Sequence, residues 1–124
     1  MCHKNDQALR DGLAALSAEL RDFATARDWE QFHAPKNLAM SLAIEAAEVM
    51  EHFQWSAADM AAALAADKRK AIALELADVM IYLLRLSTVL GVDLVDAVRE
   101  KVAINEQRYP VAKARGRSDK YDEL

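Results

Sequence analysis

The sequence has one cysteine, three glycines and two prolines in 124 residues. A single thiol, Cys2, cannot close an internal disulfide, which suits a reducing compartment and points to the cytoplasm. Scarce Gly and Pro leave few turn positions, so the chain must go into a few long elements. There is no glycine-rich phosphate loop, no G-x-S-x-G nucleophile elbow and no cluster of Cys and His at zinc spacing. A basic excess is also missing. The formal net charge is -4, which argues against a nucleic-acid polymer as partner. The opening MCHKNDQALRDG lacks the apolar core of a secretion signal, and Cys2 and His3 read as a frayed terminus. The most apolar run, residues 71–92, is interrupted by Glu75, Asp78 and Arg85. It reads as a buried helix and excludes a membrane span.

What is present is apolar and helix-forming. Hydrophobic residues make up 53% of the chain, and Ala, Leu and Glu dominate. Leu9, Leu13, Leu16, Leu20 and Phe23 form an amphipathic stripe that predicts a first helix from about Asp6 to Arg27, capped by Asn5 or Asp6. A polar loop, DWEQFHAPKN, follows over residues 28–37. Pro35 sits where a first helical turn accepts it, and a second helix runs to about Trp55. Residues 56–59, SAAD, have capping-box spacing and predict a short connector helix at about 57–66. A third helix spans about Asp67 to Gly91, and a fourth spans about Asp93 to Arg108 with Leu94, Val98, Val102 and Ile104 inward. The expected architecture is all-α: a four-helix-bundle core with a short connector helix. The third helix is apolar nearly all round, so it needs cover from a second subunit. Residues 1–110 form the domain. Residues 111–124 form a basic tail, either disordered or ordered over the active site.

Carboxylates interrupt this apolar pattern in an ordered way. Glu45 and Glu48 lie three apart on the second helix, and Glu75 and Asp78 lie three apart on the third. Residues three and four apart share a helix side. The first strip therefore holds Ser41, Glu45, Glu48, His52 and Trp55, and the second holds Glu75, Asp78, Tyr82 and Arg85. None of the four acids has a Lys or Arg four residues on, as a solvated ladder would prefer. If the strips face each other, four anions meet and require either protons or a cation. All-oxygen ligands suit magnesium or manganese before zinc. The spacing alone is equally compatible with two solvated helix faces.

Other residues carry two readings each. Trp29 and Trp55 are core or interface residues, or they flank a planar base. His33 hydrogen-bonds a base or orders its loop. His52 reads as a helix-end contact rather than a metal ligand. Lys101, Asn105 and Arg108 form the polar strip of the fourth helix. Lys101 and Arg108 either contact phosphates or make an exposed basic face.

E-x-x-E, 26 intervening residues and E-x-x-D on two consecutive long helices resemble the all-α nucleoside triphosphate pyrophosphohydrolases, the MazG-like group. RDWEQFH (27–33), EHFQW (51–55), ELADVMIYLL (75–84), N-x-x-R-Y-P (105–110) and the final KY (120–121) resemble its dCTP pyrophosphatase branch, over about Leu16 to Leu124. The resemblance implies hydrolysis of a deoxynucleoside triphosphate, dCTP or a modified dCTP, to the monophosphate and pyrophosphate. It implies magnesium on Glu45, Glu48, Glu75 and Asp78. It also implies a base pocket from Trp29, Glu30, Gln31, Phe32, His33 and Trp55, with Tyr82, Lys101 and Asn105 as further substrate contacts. Members assemble as a tetramer, a dimer of dimers. Glu48 or Glu51 is the candidate to deprotonate the attacking water. Leu20 stands where the vertebrate members carry a histidine that touches the nucleotide, which leaves the base preference open. The other readings are a broad-specificity housecleaning enzyme for (d)NTPs and a non-catalytic helical oligomerisation module.

Overall fold

In a computed structural model, residues 5–56 and 64–124 are described. Four long helices follow one another: α1 (Asp6–Thr25), α2 (Pro35–Glu51), α3 (Ala66–Leu90) and α4 (Leu94–Arg108). A short helix α5 (Val111–Ala114) and two 3-10 turns, Glu30–Phe32 and Tyr121–Glu123, complete the set, with no strand among the described residues. The chain is all-α, as its composition predicts. The connector helix expected at 57–66 falls largely outside the described residues. Of its last positions, Leu64 and Ala65 are non-helical and Ala66 already opens α3.

Local chemistry fixes the helix ends. Pro35 occupies the first turn of α2 after an extended Ala34, where its missing N–H removes no helical bond. Gly91 ends α3 in the left-handed region at φ 67°, and the Val92 amide donates back to the Ser87 carbonyl at 2.9 Å. The Asp93 side chain caps α4 by accepting from the Asp96 amide at 3.0 Å. That amide, and then Arg10, hold the Asp93 carboxyl below its ordinary value.

Three boundaries differ from the sequence reading. α1 stops at Thr25 because the chain turns at Asp28, which takes a positive φ of 56°. Asn5 makes no side-chain cap bond, and Asp6 is buried instead of capping. α2 ends at Glu51 and not at Trp55. The amides of His52, Phe53 and Gln54 bond three residues back, so the helix tightens into a turn. Trp55 therefore leaves the acidic strip and is 90% exposed.

α2 packs most extensively on α3, α1 lies against α3, and α4 lies against α1. Charge holds that last joint. Arg99 of α4 donates to Asp6 at 2.7 and 3.3 Å, and Arg10 of α1 donates to Asp93 and Asp96. Asp6 is only 8% exposed, and the Arg99 guanidinium helps to satisfy its carboxylate. Asp6→Asn is expected to lower unfolding free energy by about 1–3 kcal/mol, the cost of a charge-assisted bond to a buried group. Urea unfolding at neutral pH checks this.

The apolar core of one chain is small: among the described residues, Ala24, Leu38, Ile72, Leu84 and Val95 are the buried hydrophobic ones. Val98 and Val102, expected inward, are 54% and 45% exposed because the face of α4 that carries them is left largely uncovered within one chain. Leu74, Leu76, Met80 and Leu83 leave α3 apolar toward solvent. A folded monomer of this mass exposes roughly 6,600 Å², whereas this chain exposes 9518 Å². The tail is not loose. Tyr121 packs edge-on against Tyr109 at 6.1 Å, and the Arg108 guanidinium sits 4.6 Å above the Tyr121 ring.

Candidate metal centre

The α2–α3 contact brings the two acidic strips together. Glu45, Glu48 and Glu75 each offer an oxygen within 4.8 Å of the others, and all three side chains are half-buried. Asp78, also half-buried, is close enough to act on Glu45. Burial first, then the charges of Glu48 and Asp78, a hydrogen bond that the protonated carboxyl can donate to Glu48, and the charge of Glu75 push the Glu45 carboxyl above its ordinary 4.5. Solvated helix faces, the competing reading, would leave these carboxyls in water and apart.

Glu45 Oε2 is buried and has no hydrogen-bond partner in the structure. A shielded carboxylate oxygen without a donor is costly, and such atoms in folded proteins call for an explanation. A hard cation supplies one. The donors are carboxylates only, which fits magnesium or manganese and does not favour zinc. His52, in the turn after α2, places Nε2 3.7 Å from Glu75 Oε1, so it meets a member of the cluster at the helix end.

The 28–34 loop is built by its own polar side chains. The Thr25 hydroxyl donates to Glu30 at 2.7 Å, and the Gln31 amide donates to the Asp28 carbonyl and carboxylate at 2.9 Å each. Asn37 donates to the Phe32 carbonyl at 2.9 Å. Trp29 stands edge-on to Phe23 at 5.8 Å, with Arg27 3.5 Å above the Phe23 ring. Glu30 and Gln31 thus have structural partners, while Trp29 and Phe32 keep exposed ring faces. No ring contact joins Trp29 to Trp55 among the described residues.

His33 is tied to α3. Its Nδ1 accepts from Arg85 Nε at 3.3 Å. Burial first, and then Arg85, lower its affinity for a proton, while Glu30 opposes them. The sequence places Arg85 on the acidic strip, but no sequence pattern pairs it with His33, 52 residues away. Tyr82 lies half-buried on the same strip. Glu51 is exposed at the end of α2, and Lys101, Asn105 and Arg108 are exposed on α4. Within one chain, no hydrogen bond or ion pair links any of these four to the acid cluster among the described residues. Among those residues, no helix is long and apolar enough to cross a membrane.

Comparison with known proteins places this geometry. Residues 40–124 match the MazG-like family. The chain is 46% identical over 105 residues to dCTP pyrophosphatase 1 of Rattus norvegicus, which covers 83% of this chain and 62% of that protein. The figures for dCTP pyrophosphatase 1 of Homo sapiens are the same. The chain thus spans less than two thirds of the length of these curated relatives. Among solved structures, a pyrophosphatase from Archaeoglobus fulgidus superposes with a TM-score of 0.68 at 38% identity, over 89% of this chain and 96% of that one.

Proposed function

The chain belongs to the MazG-like family, and from that premise we propose that it is a magnesium-dependent nucleoside triphosphate pyrophosphohydrolase. It converts a dNTP, with dCTP or a modified dCTP favoured, to the monophosphate and pyrophosphate. The observation that carries this reading is the convergence of Glu45, Glu48 and Glu75, with Asp78 beside them, around a carboxylate oxygen that has no partner. The likeness to proteins named dCTP pyrophosphatase 1 supports the substrate.

Hydrolysis between the α- and β-phosphates is slow because negative charge surrounds both the nucleophile and the phosphorus. Glu45, Glu48, Glu75 and Asp78 would hold the cation, with manganese as a substitute. When bound, it neutralises phosphate charge and polarises the phosphoryl oxygens. The protein's own tasks are positioning and proton transfer. Glu48 or Glu51 orients the attacking water and takes its proton. Trp29 and Trp55 flank the base, and the 28–34 loop, with Glu30, Gln31 and Phe32, frames it. Tyr82, Lys101, Asn105 and Arg108 contact the rest of the nucleotide, with Lys101 and Arg108 on the phosphates.

Assembly completes the site. The exposed apolar faces of α3 and α4, and the roughly 2,900 Å² by which one chain exceeds the monomer expectation, support a homo-oligomer, a tetramer built from two dimers. Sedimentation equilibrium should therefore give a mass several times 13.8 kDa. A monomer at micromolar concentration would remove this part of the reading.

The decisive assay incubates purified protein with dCTP and magnesium and measures both phosphate products. Pyrophosphate with dCMP is expected. Release of orthophosphate, or no turnover across a panel of dNTPs, contradicts the proposal. Comparable rates across that panel would identify a housecleaning enzyme of broad specificity. The compartment expected is the cytoplasm, consistent with a lone thiol.

A further inference from the structure

Arg85 is only 5% exposed, and among the described residues no carboxylate lies within ion-pair distance of it. Its partner is an imidazole: Arg85 Nε donates to His33 Nδ1 at 3.3 Å. For stability alone a carboxylate would offset a buried cation better. The imidazole does something a carboxylate cannot. A ring nitrogen that accepts a hydrogen bond carries no proton, so a neutral His33 must hold its proton on Nε2. The shift in His33 agrees with a neutral ring, since burial and the Arg85 charge both disfavour the imidazolium and only Glu30 favours it. Arg85 also lies three residues beyond Tyr82 and seven beyond Asp78, on the acid-bearing side of α3. The helix that supplies two of the four acids thus also grips the loop that carries Trp29 and His33.

We propose that Arg85 is a positioning residue that fixes His33 in its Nε2–H tautomer, making that imidazole a hydrogen-bond donor to an acceptor atom of the nucleotide base. The tautomer follows from this chain's own contacts. The donation to a base rests on the reading of the protein as a nucleotide pyrophosphohydrolase. A fixed donor discriminates, because a base presenting an N–H at that point leaves two donors face to face, which costs more than the absence of a bond.

Long-range proton–nitrogen correlation spectra of the imidazole rings, recorded on the whole protein at neutral pH without nucleotide, separate the two tautomers. His33→Gln assigns the His33 signals. The wild type is expected to show Nε2–H at His33. Arg85→Met should give a mixture or the Nδ1–H form, and should raise KM for dCTP about three- to tenfold, the value of one hydrogen bond, with kcat within about twofold. Arg85→Lys keeps a cationic donor and should restore both tautomer and KM in large part.

An Nδ1–H tautomer in the wild type overturns the proposal, and this spectrum decides even if Arg85→Met does not fold. An unchanged tautomer in a folded Arg85→Met protein also overturns it, as does a fall in kcat at constant KM. If His33 holds Nε2–H in the wild type and loses it in Arg85→Met while no dNTP is hydrolysed, the positioning by Arg85 stands and the nucleotide reading falls. The two failures are therefore distinguishable.

Discussion

Glu45→Gln is expected to reduce dCTP turnover at least about a hundredfold, the scale of several kcal/mol of lost charge stabilisation. The same substitution should raise the melting temperature of the metal-free protein. The two effects have one origin. Glu45 is held among Glu48, Asp78 and Glu75 with one oxygen shielded and unpaired. Without a cation this arrangement is repulsive and incompletely hydrogen-bonded, and it weakens the fold. Gln keeps the shape, removes a negative charge and adds an N–H₂ that can donate to Glu48 or Glu75. A gain of about 1 kcal/mol corresponds to roughly 3–5 °C at this chain length. A purely structural carboxylate would behave in the opposite way, losing melting temperature and leaving turnover in proportion to folded protein. Differential scanning calorimetry alongside the pyrophosphate assay separates the two. Wild-type turnover in this variant would remove Glu45 from the site.

Magnesium is expected to stabilise the wild type strongly and to do so in a pH-dependent way. A ligand at a hundred times its Kd adds about 2.7 kcal/mol by mass action, or roughly 8–13 °C here. Protons compete for the same oxygens. The folded-state value of Glu45 lies above its unfolded 4.5. Between those two values the native state binds more protons than the unfolded chain, so metal-free stability falls as pH rises through the window. Magnesium binding follows the reverse course, weak below the window and full above it, with proton release on binding. His33 contributes with the opposite sign. Its folded-state value lies below 6.5, so it adds stability as pH rises toward 6.5. The difference between wild type and Glu45→Gln isolates the carboxylate. Thermal melts from pH 4.5 to 8, with and without magnesium, provide the test. A magnesium shift that is equal in both proteins, or independent of pH, would place the ion elsewhere.

Most of the fold is legible in the sequence. Scarce turn residues and an Ala/Leu/Glu composition leave little besides long helices, and Pro35, Gly91 and Asp93 punctuate them through local backbone chemistry. The acid pairs were legible for the same reason. A three-residue spacing sets two side chains on one helix side whatever surrounds it, so Glu45 with Glu48, and Glu75 with Asp78, follow from the chain alone. The tight turn after Glu51 was not legible, because EHFQW continues a helical pattern and only hydrogen bonding reveals that it tightens. It carried Trp55 off the strip to which the spacing assigned it. The α4 valines were misread as core for a related reason. Periodicity reports that a face needs cover, but not which chain provides it.

By itself, then, the sequence determined the four long helices, each of their ends set by a special residue, and each intrahelical acid pair, since these depend only on neighbours within about four positions. Tertiary structure alone decided that the two acid pairs meet, that Glu45 is the member left with an unpaired oxygen, that Asp6 serves Arg99 instead of capping a helix, and that Arg85 grips His33. Those are relations between elements. They are set by how helices dock, and docking depends on burial and charge summed across whole faces rather than on any local spacing.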